Sequence, residues 1–467
     1  MRVAGFLSKA LRFTGWTLGG LLGLLILCYL VLLAINWRDR PPSAEALRMK
    51  ALIDERPPIA DADNGYLHLL GLSGPSEMDA LQAGVKRRDW MVALNRDPGK
   101  FGQLTEVKDS EPAEEDNRLL QEFREHCRGD AQGCETLLDG FAEEPRFSAF
   151  EQRLLSRYRE MLKHRAWHET IPLDLRVPLP AYSSVMNGQA LHFRDLRSRV
   201  KPGSASDIRA SLEADLEFWR EVQKSSSLLI TKMIAVAAIR QHYLMGNMIL
   251  RELPRDEQLA AVPDAWRRET SAEELAMHQV MAGELRFSEG MMRIWDDTAL
   301  RPLEPGPDAE PPGWYERVTV FLSRPLFKHQ DQLNHYAAQY LAMADQFQVP
   351  LQRYEAVTEE ARASSLQENE WRLYNLMGSI LRNIVGGANF SGYPLRVASI
   401  EALRRAALVT AELRATGVPA SQVPEALRQS ELRNPFDLQA FRWSEEEQAV
   451  VHEGKEKSSV NRHVYLY

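Results

Sequence analysis

The stretch "GWTLGGLLGLLILCYLVLLAIN", residues 15–36, decides the architecture of this chain because it is almost entirely apolar. No charged residue occurs from Phe13 to Trp37. An α-helix rises about 1.5 Å per residue, so roughly 20 residues cross a hydrocarbon core of about 30 Å. The segment 13–37 is therefore predicted to be an N-terminal transmembrane helix.

A cleaved signal peptide is the alternative interpretation of this segment. Its apolar region would be about 7–15 residues long and would end in small residues at the cleavage site. Here the apolar run is longer, and "LLAINWRDR" at its end lacks the two small residues, separated by one residue, that a cleavage site has. The pattern favours an uncleaved anchor, and Trp16 and Trp37 near its ends are typical of membrane interfaces.

The charges on either side of the segment indicate its orientation. Three basic residues and the amino terminus precede it without any acidic residue, whereas Asp39 partly offsets Arg38 and Arg40 after it. Positively charged flanks of transmembrane helices stay preferentially in the cytoplasm. Residues 1–12 are therefore predicted to be cytoplasmic, and the chain after Trp37 is predicted to be extracytoplasmic.

The cysteines agree with an oxidising compartment outside the cytoplasm. Cys28 lies within the apolar segment, and Cys127 and Cys134 are the other two, in "CRGDAQGC". Such a close pair predicts a structural disulfide. A redox pair or half of a metal site is the alternative, but the spacing is not C-x-x-C and His126 is the only nearby histidine. The Arg-Gly-Asp tripeptide at 128–130 predicts a turn more simply than an adhesion ligand.

Beyond the anchor, residues 38–467 are enough for one large or two ordinary globular lobes. The net charge of −8, without a basic stripe interleaved with aromatic residues, argues against nucleic acid as a partner. The proline-rich "RPLEPGPDAEPPG" at 301–313 predicts a linker between a lobe at 38–300 and a second lobe at 314–467, or else a long surface loop in one domain.

The periodicity after the anchor is that of helices. "SASDIRASLEADLEFWREVQK" has apolar residues at three- and four-residue spacing, and "SAEELAMHQVMAGELRFSEGMMRIW", residues 271–295, begins with Ser271 and Glu274 as a capping box. "IEALRRAALVTAELRATG" ends at Gly417 as a helix typically does.

Two further segments complete the predicted fold. "SLLITKMIAVAAI", residues 227–239, predicts a central core helix with Lys232 extending to its edge, in preference to a buried lysine with a lowered pKa. The tail "NPFDLQAFRWSEEEQAVVHEG" predicts a β-hairpin. The fold class is therefore mainly α: a transmembrane helix and a large helical extracytoplasmic domain with a small C-terminal β-hairpin.

The stretch "HRAWHE" is the candidate metal site. If it is helical, His164 and His168 lie four residues apart on one face and could chelate a metal, with Glu169 beside them. Arg165 stands where the zinc motif H-E-x-x-H has glutamate. The pattern favours histidines that are solvated or lie at the edge of the core over a metal site, so these three residues are weak candidates. No cofactor is predicted.

Other catalytic patterns are missing from the sequence. None of the eleven histidines has glutamate three residues before it, as di-iron bundles require. The patterns G-x-S-x-G, G-x-G-x-x-G and G-x-x-x-x-G-K-[ST] do not occur. Ser73 in "GLSGP" comes nearest to a nucleophile elbow, but Pro75 replaces the second glycine. These observations favour a protein that is not an enzyme.

Gly15, Gly19 and Gly23 recur at four-residue spacing within the anchor. Such a stripe of small residues lets a second transmembrane helix approach closely. It predicts self-association or pairing with the membrane helix of a partner.

Five segments together resemble a group of single-pass inner-membrane proteins of Gram-negative bacteria. They are "DNGYLHLLGL", "SLLITKMIAVAAI", "NLMGSIL", "YPLRVASIEALRRAALVTAELRATGVP" and "VPEALRQSELRNPFDLQAFRW". The resemblance spans most of the chain and implies an anchored, periplasmic domain. Its motifs are hydrophobic and structural, so it implies a fold and not a reaction.

A second, local likeness covers about 30 residues at the C-terminal end. "NPFDLQAFRW" after a "VPEAL" turn is similar to the C-terminal segment of pseudopilins, in which an Asp/Asn-Pro turn leads into a short strand. The glycine usual between turn and strand is replaced by Leu438-Gln439, and the pilin cleavage signal is absent. The likeness implies a shared local fold and not membership of that family.

These observations predict a bitopic inner-membrane protein whose helical periplasmic domain binds other envelope components as an interaction or scaffold protein. The alternative is an envelope enzyme acting on a lipid, glycan or peptide, with a site between two lobes that includes His164, His168 and Glu169. A third hypothesis, a module that binds a small hydrophobic ligand, rests on the methionine-rich "MHQVMAGELRFSEGMM".

Overall fold

The computed structural model describes residues 2–97, 106, 109, 120–123, 125–127, 131–139, 147–174, 177–300, 313–365, 372–385, 390–454 and 462–467. This part of the chain is mainly helical, as the periodicity predicts. Its helices, numbered in chain order, are α1 (Arg2–Ile35), α2 (Ala44–Asp54), α3 (Gly65–Leu70), α4 (Ala80–Arg96), α5 (Ala131–Asp139), α6 (Ala149–Met161), α7 (Tyr182–Ser198), α8 (Ala205–Ser225), α9 (Leu229–Glu252), α10 (Arg255–Ala261), α11 (Asp264–Arg267), α12 (Ala272–Leu275), α13 (His278–Leu300), α14 (Trp314–Ser323), α15 (His329–Gln346), α16 (Tyr354–Ser365), α17 (Leu376–Val385), α18 (Gly392–Ala415) and α19 (Val423–Gln429).

The C-terminal end forms a three-stranded antiparallel sheet instead of the predicted two-stranded hairpin. Its strands are β1 (Arg442–Ser444), β2 (Ala449–Glu453) and β3 (Arg462–Leu466), in the order β1-β2-β3. The predicted hairpin is present as β1 and β2, in which Trp443 pairs with Val450. Five residues give too little alternation to predict β3 from sequence. It forms because pairing with β2 buries most of its side chains.

The described chain forms two compact units, each assembled from separate stretches of sequence. Unit 1 comprises residues 1–48, 288–339 and 363–389, and unit 2 comprises residues 49–287, 340–362 and 390–467.

This division differs from the predicted lobes 38–300 and 314–467, which follow one another along the chain. α13 and α15 each contribute residues to both units, so these unit boundaries fall within helices and not at the linker that the proline-rich sequence predicts. Residues 301–312 of the predicted linker lie outside the described residues.

The core of unit 2 is built around α8, α9 and α18. α8 buries Ile208, Leu212 and Trp219 at the predicted helical spacing. The apolar run 227–239 lies in the first half of α9, which is the predicted core helix. Arg414, near the end of α18, donates a hydrogen bond to the Leu466 carbonyl at 3.0 Å and so joins β3 to this core.

Two predicted helix boundaries are confirmed. Gly417 follows α18 with a φ of 73°, the left-handed conformation that favours glycine after a helix. Ser271 and Glu274 form the predicted capping box: the Glu274 N–H donates to Ser271 Oγ at 3.3 Å, and the Ser271 N–H donates to Glu274 Oε2 at 2.6 Å.

The single helix predicted over 271–295 is nevertheless broken into α12 and α13. Ala276, which follows α12, has an extended backbone with a ψ of 141°. The Glu274 carbonyl accepts a hydrogen bond from Lys232 Nζ at 3.0 Å, which replaces the bond that a continuing helix would supply. A buried side chain from α9 therefore takes over the carbonyl at the point where the helix stops.

The turn that contains Ser73 is structural. The guanidinium of Arg157 donates hydrogen bonds of 2.6–3.0 Å to four carbonyl oxygens of this turn, those of Leu72, Gly74, Pro75 and Met78. The Ser73 hydroxyl donates to the carboxylate of Asp109. The Ser73 hydroxyl is therefore bonded within a turn that Arg157 holds at four carbonyl oxygens.

α3 and α4 meet at backbone contact. A Cβ atom on Gly84, in α4, would overlap the carbonyl oxygen of Leu67, and one on Gly71 would overlap that of Ala80. Because carbonyl oxygens of a helix cannot move aside as a side-chain tip can, the two helices would have to separate to admit a larger residue.

We expect Gly84→Ala to lower the free energy of unfolding by about 1–3 kcal/mol, since overpacking forces the backbone to shift. The measurement is thermal or denaturant unfolding of the full chain in detergent. Gly392→Ala is the matched control, because the nearest atom to its Cβ would be Arg362 Nη2 at an ordinary 3.6 Å. Equal effects of the two substitutions would contradict the close crossing of α3 and α4.

Candidate functional site

α1 contains the segment whose length and composition suit a membrane span, Phe13–Ile35. Its apolar side chains are exposed, with Trp16 83% and Leu25 59% accessible to solvent. A continuous exposed apolar surface marks a site of interaction with a membrane or another protein. This helix and the residues that hold its C-terminal end are the candidate functional site.

Asn36 fixes the C-terminal end of the apolar helix. Its side chain is almost fully buried. The Nδ2 group donates to the carbonyls of Leu32 and Leu373, both at 2.9 Å, and Oδ1 accepts the backbone N–H of Asn375 at 2.7 Å. One amide therefore bonds to a carbonyl of the last helical turn, which also accepts the Asn36 N–H, and to two backbone groups of a chain segment more than 300 residues away.

Asn375 continues this network within unit 1. Its backbone has a φ of 54°, a left-handed conformation that asparagine tolerates better than most residues. Its Oδ1 accepts the N–H groups of Lys328 at 2.9 Å and Gly378 at 3.2 Å, and its Nδ2 donates to Asp331 at 3.1 Å. The starts of α15 and α17 are therefore joined through one buried side chain.

Asp39 attaches the chain after the apolar segment to the first turn of α15. Its two carboxylate oxygens accept the N–H groups of Gln330 at 2.8 Å and Asp331 at 3.1 Å, which have no partners within the helix. Arg40 pairs with Asp331 at 3.2 Å and lies 4.7 Å from the ring centre of Tyr374. The segment that follows α1 is thus a bonded junction and not a free linker.

The glycine stripe lies on an open surface of α1. A Cβ atom at Gly15, Gly19 or Gly23 would meet no atom within 4 Å. The stripe is therefore accessible to another helix, and the predicted association through these residues stays a prediction.

The predicted arrangement of His164 and His168 on one helix face is wrong. α6 ends at Met161, a two-residue turn follows, and the chain beyond it bridges to Asn64 at Ala166 and bonds to the Asn64 side chain. The Asn64 amide donates to the His168 carbonyl at 2.8 Å and accepts the His168 N–H at 3.0 Å. Because this segment is not helical, the four-residue spacing no longer places the two imidazoles on one helix face.

The two imidazoles have different surroundings. The ring of His164 stacks on His68 with 3.9 Å between the ring centres. Burial lowers the pKa of His164, and burial together with the nearby Arg56 lowers that of His168. In the described part of the chain, no group of three or more histidine, cysteine, aspartate and glutamate side chains is placed to hold a metal ion.

Glu169 points to the start of α9. Its Oε2 atom accepts the backbone N–H groups of Ser227 and Leu228, the latter at 3.1 Å. Arg56 lies beside it and donates to Ser227 Oγ at 2.9 Å. Burial raises the pKa of Glu169 to about 7, although hydrogen bonds from Thr231 and the backbone oppose the shift. This carboxyl group caps a helix and does not join the histidines.

Cys127 and Cys134 are joined in a disulfide, as the sequence predicts. The Cys127 N–H donates to the Phe123 carbonyl at 2.9 Å, a helical hydrogen bond, and Cys134 lies buried in α5. Residues 128–130, the Arg-Gly-Asp tripeptide, lie outside the described residues.

A fully buried polar network that the sequence patterns did not predict lies in unit 2. The carboxylate of Asp215 accepts hydrogen bonds from Tyr158 Oη at 2.5 Å, from Gln189 Nε2 at 3.2 Å and from His242 Nδ1 at 2.8 Å. Asp215 lies three residues after Leu212, on the buried face of α8. A charged residue at an apolar position of the helical pattern is the sequence feature that could have indicated this network.

The hydrogen bonds of His242 fix its tautomer. Trp266 Nε1 donates to His242 Nε2 at 2.8 Å, and an indole N–H can only donate. His242 Nε2 is therefore the acceptor, and the ring proton lies on Nδ1, which donates to Asp215. Both ring nitrogens are occupied by the core, so this Asp-His pair holds helices together and is not a general base.

Comparison with known proteins found no protein-family model, no curated protein and no solved structure that matches the chain.

Lys232 is fully buried, so the prediction that it extends to the edge of its helix is wrong. Its Nζ atom donates to the carbonyls of Gln223 at 2.6 Å and Glu274 at 3.0 Å, the ends of α8 and α12. Burial lowers its pKa from the ordinary 10.5 to about 7, which the nearby Glu274 carboxylate opposes. The lysine completes two helix ends from within the core.

This lysine makes stability depend on pH with a definite sign. Between pH 7 and 10.5 the unfolded chain binds more of this proton than the folded chain, so folding becomes more favourable as pH rises. Relative to Lys232→Met, we expect the unfolding free energy of the natural chain to rise from pH 7 to pH 9, by at most about 1.4 kcal/mol per pH unit.

Unfolding of the full chain in detergent across this pH range measures the difference. Lys224→Met, which removes an exposed ammonium from α8, is the control. A difference between the natural chain and Lys232→Met that stays constant or falls with pH would show that the buried lysine remains charged.

Proposed function

We propose that this chain is a single-pass membrane protein of the Gram-negative inner membrane whose helical periplasmic part binds other envelope components. α1 is the anchor, residues 1–12 are cytoplasmic, and the chain after Trp37 is periplasmic. The observation that carries the proposal is an exposed, membrane-length apolar helix whose end is bonded into a folded unit through Asn36.

The bonded junction supports a permanent anchor over a cleaved signal peptide. A signal peptide is removed and has no reason to share buried hydrogen bonds with the mature protein. Here loss of Asn36 would leave the Leu373 carbonyl and the Asn375 N–H without these partners. An unpaired buried backbone group costs roughly 1–3 kcal/mol.

The disulfide supports the periplasmic location. Disulfides form and persist in oxidising compartments and are rare in the cytoplasm. Cys127 and Cys134 lie after the anchor, and the charges that favour the cytoplasm lie mainly before it. The resemblance to bacterial inner-membrane proteins agrees with this orientation.

The use of polar groups in unit 2 supports binding over catalysis. Asp215 and His242 bond to each other, Lys232 binds two carbonyls, and Glu169 caps a helix. The enzyme hypothesis relied on His164, His168 and Glu169 acting together, and these residues serve separate local structures. An interaction or scaffold role in the envelope is therefore the function that the geometry favours.

A membrane-impermeant amine cross-linker applied to spheroplasts tests orientation and interaction together. Lys86, Lys163, Lys201 and Lys224 are exposed in unit 2, whereas Lys9 precedes the anchor. We expect the four exposed lysines to react before lysis, Lys9 to react only after lysis, and cross-links to other envelope proteins to recur between preparations.

A variant with arginine at all four exposed positions is the matched control, and it should lose the cross-links formed through them. Reaction at Lys9 before the other four would reverse the proposed orientation. Recovery of the chain cross-linked only to itself would contradict a role in binding other envelope components.

A further inference from the structure

α14 is a helix of unit 1 with an exposed apolar face. Trp314 and Phe321 are 78% and 76% accessible, and Tyr315, Val318 and Leu322 are also exposed. At 100° per residue these five positions fall within about a third of the helix circumference. Glu316 lies on the opposite side.

α14 is attached directly to the apolar part of α1. Tyr29 Oη donates a hydrogen bond to the carbonyl oxygen of Leu322 at 3.0 Å. This carbonyl belongs to the last turn of α14, where it has no partner within the helix. The short turn that follows, Arg324–Leu326, also lies against α1.

The position of Tyr29 sets the depth of this contact. Tyr29 lies six residues before Ile35, the end of the apolar segment, which corresponds to about 9 Å along the helix axis. A tyrosine at this depth is too far from the interface for its ring alone to reach headgroups, and its hydroxyl needs a partner within the membrane. The Leu322 carbonyl supplies that partner.

We propose that α14 lies in the periplasmic leaflet of the bilayer that α1 crosses, with the Trp314–Leu322 face in contact with lipid. This inference rests on the proposed function, because it takes α1 as the transmembrane anchor. The continuity between α14 and α1 selects lipid as the occupant of the exposed face: the Leu322 end of α14 lies beside the last turns of the span, where acyl chains surround α1.

The chemistry of α14 suits this position. An amphipathic helix at a membrane buries its apolar face about 5–10 Å into the boundary between headgroups and acyl chains. Trp314 and Tyr315 at its start are the residue types enriched at that boundary. The hydroxyls of Thr319 and Ser323 donate to carbonyls of the same helix, at 3.0 Å and 3.2 Å, so they need no water.

Electron paramagnetic resonance of the full chain in lipid nanodiscs tests the inference. Single nitroxide labels are attached to Phe321→Cys, Glu316→Cys and Leu25→Cys in a Cys28→Ala background, with the Cys127–Cys134 disulfide left oxidised. Collision of each label with oxygen, which partitions into lipid, is compared with collision with a water-soluble nickel chelate.

We expect the labels at residues 321 and 25 to collide mainly with oxygen and the label at residue 316 to collide mainly with the nickel chelate. A label at residue 25 in lipid with one at residue 321 in water would overturn the lipid contact of α14 and leave the anchor intact. A label at residue 25 in water would overturn the anchor itself. A label at residue 321 shielded from both reagents would mean that protein, such as a second copy, covers the face.

Discussion

The buried amide of Asn36 is the interaction on which the organisation of unit 1 depends. It stands at the last turn of the apolar helix and bonds to backbone groups of residues 373 and 375. Because Asn375 in turn receives the N–H groups at the starts of α15 and α17, the position of α1 and the position of these helices are set by the same few hydrogen bonds. The apolar helix is therefore part of a folded unit.

Unit 2 is organised by buried polar groups of a different kind, and their titrations have opposite effects. Glu169 has a pKa raised from 4.5 to about 7, so its contribution to stability is lost as pH rises through this range. Lys232 has a pKa lowered from 10.5 to about 7, so its contribution is regained as pH rises above 7. The combined cost of burying the two groups is therefore largest near pH 7, because the cost from Glu169 has nearly reached its full value there and the cost from Lys232 has only begun to fall. Each group nevertheless completes the end of a helix.

The sequence was sufficient for the features that depend on local pattern. The apolar helix, the capping box at Ser271, the glycine after α18 and the disulfide follow from composition, spacing and end signals. It was insufficient where a distant residue decides the local structure. His164 and His168 lie outside any helix, and the backbone of His168 bonds to the side chain of Asn64, about 100 positions earlier. The burial of Lys232 depends on two carbonyls from other helices, which no periodicity predicts.

The proposed function requires that α1 remain attached to the protein and span the membrane, and alkaline extraction of membranes measures both properties. Membranes from cells that produce the full chain are washed at high pH, and the chain in each fraction is analysed by peptide mass spectrometry. We expect the chain to stay in the membrane pellet with α1 attached. Replacing exposed Leu22 and Leu25 by arginine costs about 2.5–3.5 kcal/mol each within a span and should release it, whereas Leu47→Arg, exposed in α2, should not. Release of the natural chain, or a pelleted chain that begins after Trp37, would show that α1 is not a permanent membrane anchor.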